Sequence, residues 1–261
     1  MISDLDHIAS TTVNGKLQPL FPGMEWVTSW RGFDVLDLPA QGTYESPSLD
    51  TDAFTMEAGY LVVGGACAVL QDPEGSPQQI AIQAPGAIRC MAGASHLVHA
   101  GPGGARLLAI SVATEGAEGG QLSAEPFAQD RLPWRDAIHG GGGRIGTRHL
   151  WRPEDFASSW TFVDHAVLSE GSSLGCHYHD FLEEAFIVLS GRGWMTIADQ
   201  TTEIGAGNVT LQLANVGHGL YNPFAEDLDF IRIAVATPGE AFTTIDLDDD
   251  LRFRRPTEET P

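Results

Sequence analysis

The chain repeats itself, and that repeat limits its fold more than any other feature. The second half carries E-E-A-F-I-V-L-S-G-R-G-W-M-T-I at residues 183–197 and G-N-V-T-L-Q-L-A-N-V-G-H-G-L-Y-N at 207–222. The first half answers with M-E-A-G-Y-L-V-V-G-G-A-C-A-V-L at 56–70 and P-G-A-I-R-C-M-A-G-A-S-H-L-V-H-A at 85–100. Superposing Gly64 on Gly191 places Glu57 on Glu184, and superposing His96 on His218 places Gly93 on Asn215. Each half closes on an apolar run, R-L-L-A-I-S-V-A-T at 106–114 and D-F-I-R-I-A-V-A-T at 229–237. A unit repeated in this way is one structural module used twice.

The module is built from strands. Helical periodicity is scarce, and the clearest segments are short apolar or alternating runs at 60–70, 105–112, 160–168, 185–189, 193–198 and 230–236. Gly, Pro, Asp or Ser bounds each run, as strands and turns require. The 30 glycines and 15 prolines fit many turns. We therefore expect an all-β chain of two tandem barrels with few short helices, divided as 1–135 and 136–261. The glycine-rich stretch D-A-I-H-G-G-G-G-R-I-G, Asp136 to Gly146, lacks the Gly-Lys-Ser/Thr of a phosphate loop and reads as a flexible or tight-turning connection.

Charge removes some partners. Lys plus Arg total 14 against 35 for Asp plus Glu, a formal −21 that repels phosphate backbones and anionic membranes. No apolar run reaches the ~20 residues of a membrane helix. Cys67, Cys90 and Cys176 form no CxxC pair, which suits a reducing compartment. The opening MISDLDHIAS shows no basic stretch leading into an apolar one, so no signal peptide is expected, and the expected location is the cytoplasm.

The chemistry concentrates in G-C-H-Y-H-D-F-L-E-E-A-F-I-V-L-S-G, Gly175 to Gly191. Alternation along a strand puts His177 and His179 on one face, with Cys176 and Tyr178 on the other. Two imidazoles turned into a barrel interior are costly unless hydrogen-bonded or metal-bound. Glu184 follows after a short bend, and His218 is the obvious further ligand from a distant strand. Three imidazoles and a carboxylate suit Fe(II), Mn(II), Ni(II), Co(II), Cu(II) or Zn(II).

These residues resemble the cupin superfamily. Its first motif, G-x5-H-x-H-x3,4-E-x6-G, is met by Gly171, His177, His179, Glu184 and Gly191. Its second, G-x5-P-x-G-x2-H-x3-N, is met by Gly207, His218 and Asn222, with Leu213 in place of proline and Asn215 in place of glycine. The resemblance spans most of residues 160–236. It implies a bicupin, two barrels in one chain, with one divalent transition metal per chain, iron slightly preferred, held by His177, His179, Glu184 and His218. It also implies a small-molecule pocket around the metal, for which Phe162, Phe186, Leu211, Tyr221, Phe230 and Arg232 are the candidate lining residues. One of Asp164 and His165 should face inward.

In the first half Asp50 and Asp52 stand where His177 and His179 would superpose, and with Glu57 and His96 they form an oxygen-rich set. The favoured reading is a degenerate barrel that lost its metal. The alternative is a second site for Mn(II) or Mg(II).

The resemblance leaves the reaction open. The leading reading is a dioxygenase-like oxidoreductase, in which Glu184 and His218 take part in catalysis and Glu184 both ligates and accepts a proton. The alternatives are a non-redox lyase, isomerase or hydrolase, and a metabolite-binding module without turnover. A homodimer is among the expected assemblies.

Overall fold

A computed structural model describes residues 1–9, 15–46, 55–72, 75–114, 119–136 and 138–256. Among these, strands dominate and the single α-helix is the five-residue Leu5–Ala9. All but one of the runs that alternation marked as strands lie wholly in one, from Thr55–Gln71 and His96–Thr114 in the first half to Trp160–Leu168, Leu182–Ser190 and Leu228–Ala236 in the second. The run at 193–198 ends one residue early, in strand Arg192–Ile197, because Ala198 takes a left-handed φ of 55° and begins the turn.

The chain forms two compact units. One comprises Leu5–Phe127 with Trp151–Thr161, and the other Met1–Asp4, Ala128–Leu150 and Phe162–Pro261. The first unit is built on an eight-stranded antiparallel sheet whose long strands Thr55–Gln71 and His96–Thr114 pair along most of their length. Register shifts between Val62 and Gly64, and between Gly65 and Cys67, bend this pair as β-bulges do. Its core gathers Leu36, Ala58, Tyr60, Val62, Val69, Ile88, Val98 and Leu107.

The second unit is a two-sheet sandwich of seven and five strands. Strands Leu182–Ser190 and Leu228–Ala236 lie centrally in the larger sheet, while Ser173–His179 and His218–Tyr221 pair in the smaller. Both sheets send side chains into one core: Ala166, Leu168, Phe186, Val188 and Phe230 from the first, Leu174, Met195, Ile204 and Leu220 from the second. The turn after Leu182–Ser190 needs glycine. Gly191 has φ 78°, and a Cβ there would collide with the Asp227 carbonyl oxygen.

The Gly140–Gly143 stretch is not a loose connection. Ser173 N–H donates to Gly142 O at 2.8 Å, and Gly175 N–H donates to Ile138 O at 3.1 Å. The Ser173 and Ser172 hydroxyls accept from Gly142 N and Arg144 N, both at 2.9 Å. Glycines here allow backbone to lie directly against backbone. A Cβ on Gly175 would run into the His139 carbonyl oxygen.

Candidate metal centre

Two sheets supply the site. In the smaller sheet His177 stands directly across from His218, and His179 follows on the same face two residues along. In the larger sheet Glu184 lies opposite Gln212 on one side and Ala234 on the other. The sandwich brings these faces together, so that one ligand atom from each of His177, His179, Glu184 and His218 lies within 4.8 Å of the others. All four side chains are buried, His177 at 0% exposure and His179 at 7%.

Each imidazole is held by its outer nitrogen. His177 Nδ1 donates to Gly175 O at 2.8 Å, and His218 Nδ1 donates to Val216 O at 2.9 Å. His179 Nδ1 meets Thr244 Oγ1 at 3.0 Å. Carbonyl acceptors fix the tautomer with the proton on Nδ1, which leaves the Nε2 lone pair facing inward. His218 Nε2 then lies 3.1 Å from Glu184 Oε2, and His179 Nε2 lies 3.5 Å from the same oxygen. For His218, whose Nδ1 proton is fixed by a carbonyl, a nitrogen lone pair this close to a carboxylate oxygen requires a cation between them, either a proton or a metal ion. His177 Nε2 and Glu184 Oε1 are buried with no hydrogen-bond partner, an arrangement that costs free energy unless something satisfies them.

The protonation states suit a cation. Burial, reinforced by the positive potential of His218, pushes the His177 pKa down to about 2, so its ring is neutral near neutral pH. Burial alone would raise the Glu184 carboxyl, but His179, His218 and Arg232 outweigh it and hold the group well below the carboxylate range. Three imidazole nitrogens and one carboxylate oxygen are the donor types that a divalent first-row transition metal takes.

A charged layer lies behind the carboxylate. Arg232 Nη2 donates to Asp164 Oδ2 at 2.7 Å, Arg232 Nη1 lies 3.6 Å from Glu184 Oε1, and His149 Nδ1 meets Asp164 Oδ1 at 2.6 Å. Asp164 therefore takes the inward position that the sequence left between it and His165. His165 instead bonds Asp229 at 2.7 Å on the other face. Arg232 is not on the surface. It is 6% exposed, its guanidinium lies 5.3 Å from the centroid of Phe162, and its Nε has no partner.

The candidate lining residues separate by face. Phe186 shares the face of Glu184, lies 6.1 Å from the His218 ring and stacks on Phe230 at 5.8 Å, so an apolar pair borders the histidine. Phe162 lies under Arg232. Leu211 and Tyr221 are turned away. Leu211 pairs with Ala185, one residue out of phase with Glu184. Tyr221 pairs with Trp194 and packs its ring on that indole at 5.8 Å, out of phase with His218.

Three residues in or beside the site escaped sequence reasoning. His149 and Gln212 lie on strands whose partners only the tertiary fold supplies. His139 was hidden in the glycine run and stacks on His177 with ring centroids 4.0 Å apart.

The first unit holds no comparable set among its described residues. His96 is buried, with Nε2 2.6 Å from Tyr60 Oη and Nδ1 3.2 Å from Ser46 Oγ. Glu57 is one residue out of phase with Ala58 and Tyr60, which line the core. Its carboxylate accepts from Ala157 N at 3.1 Å, Ser158 N at 2.9 Å and Ser158 Oγ at 2.7 Å. The sequence superposition of Glu57 on Glu184 therefore does not bring Glu57 to His96. Asp50 and Asp52 lie outside the described residues.

Residues 165–234 match the cupin domain family. An oxalate-binding protein of Thermotoga maritima is 26% identical over 98 residues, which is 38% of this chain and 81% of that protein. Among solved structures, the salicylate 1,2-dioxygenase of Pseudaminobacter salicylatoxidans superposes with a TM-score of 0.69 at 11% identity, over 94% of this chain and 88% of that one. The oxalate decarboxylase of Lactobacillus farciminis, in its formate complex, gives 0.58 at 12% identity with the same coverages of 94% and 88%. These superpositions speak for the fold alone. Together with the two strand-built units they show a cupin-type fold, and the stretch that matches the cupin domain, residues 165–234, contains His177, His179, Glu184 and His218.

Proposed function

We propose that the second unit is a metal-dependent active centre of dioxygenase-like type, acting on a small anionic organic molecule such as an enol, a catechol or a keto acid. One observation carries this reading: three inward imidazole nitrogens and one carboxylate converge in a buried space, each imidazole oriented by an outer hydrogen bond. His177, His179, Glu184 and His218 would hold the metal. An iron ion bound there would supply redox chemistry towards dioxygen, with room in its coordination sphere for further ligands.

The chain's own residues do the remaining work. Arg232 supports an anionic substrate, because its buried Nε has no acceptor and Phe162 backs the guanidinium plane. Asp164 neutralises the other edge of that guanidinium, so the arginine is held in place without being wholly consumed by the protein. Glu184 Oε1 is the carboxylate oxygen free of hydrogen bonds and is the atom available to take a proton from a bound hydroxyl. Phe186 and Phe230 give the metal centre an apolar, fully buried flank.

A second reading has support of its own. The relative matched over most of its length is an oxalate-binding protein, which favours a small dicarboxylate as ligand. The same centre would then act by Lewis-acid chemistry in a lyase or decarboxylase, or bind its ligand without turnover. Elemental mass spectrometry on protein purified without added metal or chelator separates the readings. About one equivalent of iron, with oxygen uptake on adding catechols or keto acids, is the expected result. Zinc or manganese with no oxygen uptake would move the assignment to the non-redox reading. A chain that neither retains nor rebinds any transition metal would overturn both.

A further inference from the structure

We infer that His139 and the C-terminal strand Thr244–Asp246 form an outer wall that positions two of the ligating histidines, an inference that rests on the metal-centre reading above. The strand runs antiparallel to the ligand strand in the register His177↔Asp246 and His179↔Thr244. Residues two apart on one strand therefore face residues two apart on the other. Thr244 acts directly, its hydroxyl 3.0 Å from His179 Nδ1. Asp246 acts through His139, whose Nδ1 lies 3.0 Å from Asp246 Oδ1 and whose ring lies over His177 at 4.0 Å with an interplanar angle of 19°.

Both parts of the wall are fastened. His139 has a left-handed φ of 57° at the head of the glycine run, and that run is bonded to the ligand strand at Ser173 and Gly175. The C-terminal strand is tied on each side. Asp180 accepts from Thr243 N and Thr243 Oγ1, both at 2.7 Å, and Leu247 N–H donates to Cys176 O at 2.8 Å. His177 is thus fixed at its edge by Gly175 O and on its face by His139, while His179 is fixed at its edge by Thr244. Neither His139 nor Thr244 belongs to the ligand set, and neither lies in a conventional motif. They are positioning residues.

Cobalt(II) titration of the metal-free protein tests this. His139→Asn keeps a residue type tolerant of the left-handed backbone and a donor for Asp246, but removes the stacked ring. Thr244→Val removes the hydroxyl with little change of shape and serves if the first variant fails to fold. We expect each to weaken cobalt binding by about tenfold and to shift the cobalt d–d absorption bands, with the far-ultraviolet dichroism unchanged. Affinities within twofold of the unsubstituted protein and superimposable d–d spectra in both variants would overturn the inference. Absence of cobalt binding by the unsubstituted protein would overturn the metal-centre reading itself.

Discussion

Replacing Arg232 by methionine tests whether the charged layer behind the carboxylate is a paired network. Asp164 is fully buried, and Arg232 bonds it at 2.7 Å with only 7% of the arginine side chain exposed. Removing one partner of such a pair leaves an uncompensated buried charge, which costs about 3–5 kcal/mol. His149, 41% exposed at its side chain, still meets the other Asp164 oxygen at 2.6 Å, so the lower end applies, about 3 kcal/mol. For a domain of this size each kcal/mol shifts the melting temperature by about 2–4 °C, giving a fall of roughly 6–12 °C. Calorimetry on the chelator-treated protein measures it without interference from metal binding. The double variant Arg232→Met with Asp164→Leu should regain most of the loss, since an apolar pair of similar volume often matches a buried ion pair. A single variant that loses less than about 1 kcal/mol, or a double variant no better than the single, would refute the reasoning.

Further outcomes follow from the same structure. His177→Ala with His179→Ala should abolish metal content while circular dichroism still reports a sheet protein, and a retained full equivalent would reject the ligand assignment. Asp50→Ala with Asp52→Ala should leave metal stoichiometry unchanged, because Glu57 and His96 occupy opposite faces of their strands; loss of one metal per chain would restore a second site. Burial holds the His96 pKa down to about 4 from an ordinary 6.5. The unfolded chain therefore binds the extra proton, and stability falls as pH drops from about 6.5 towards 4, by about 3 kcal/mol in all. Urea melts across that range should show a flatter profile for His96→Gln than for the unsubstituted protein, and parallel profiles would contradict the assignment. Gly175→Ala should destabilise by about 1–3 kcal/mol, because the added methyl meets the backbone of His139 and Gly141; an unchanged urea midpoint would show that the glycine run is not packed there.

The strands, the repeat and the four candidate ligands were legible in the residues alone. Alternation is a local signal, since successive side chains on a strand face opposite ways wherever the strand goes, so His177 and His179 could be paired before any fold was known. Glu184 and His218 could be added because the motif fixes their spacing along the chain. Phase between distant strands is not local. It depends on register and on bulges such as those near Gly64 and Gly65, and a one-residue slip sends a side chain to the other face. For that reason Leu211, Tyr221 and Glu57 looked like site residues in the sequence and face elsewhere in the structure. For the same reason Asp164 and His165 could not be told apart, nor Arg232 recognised as buried. The wall formed by His139, Thr244 and Asp246 was also illegible, because it joins residues up to 107 positions apart. Only the packing of the glycine run and the C-terminal strand against the ligand strand brings them to the histidines.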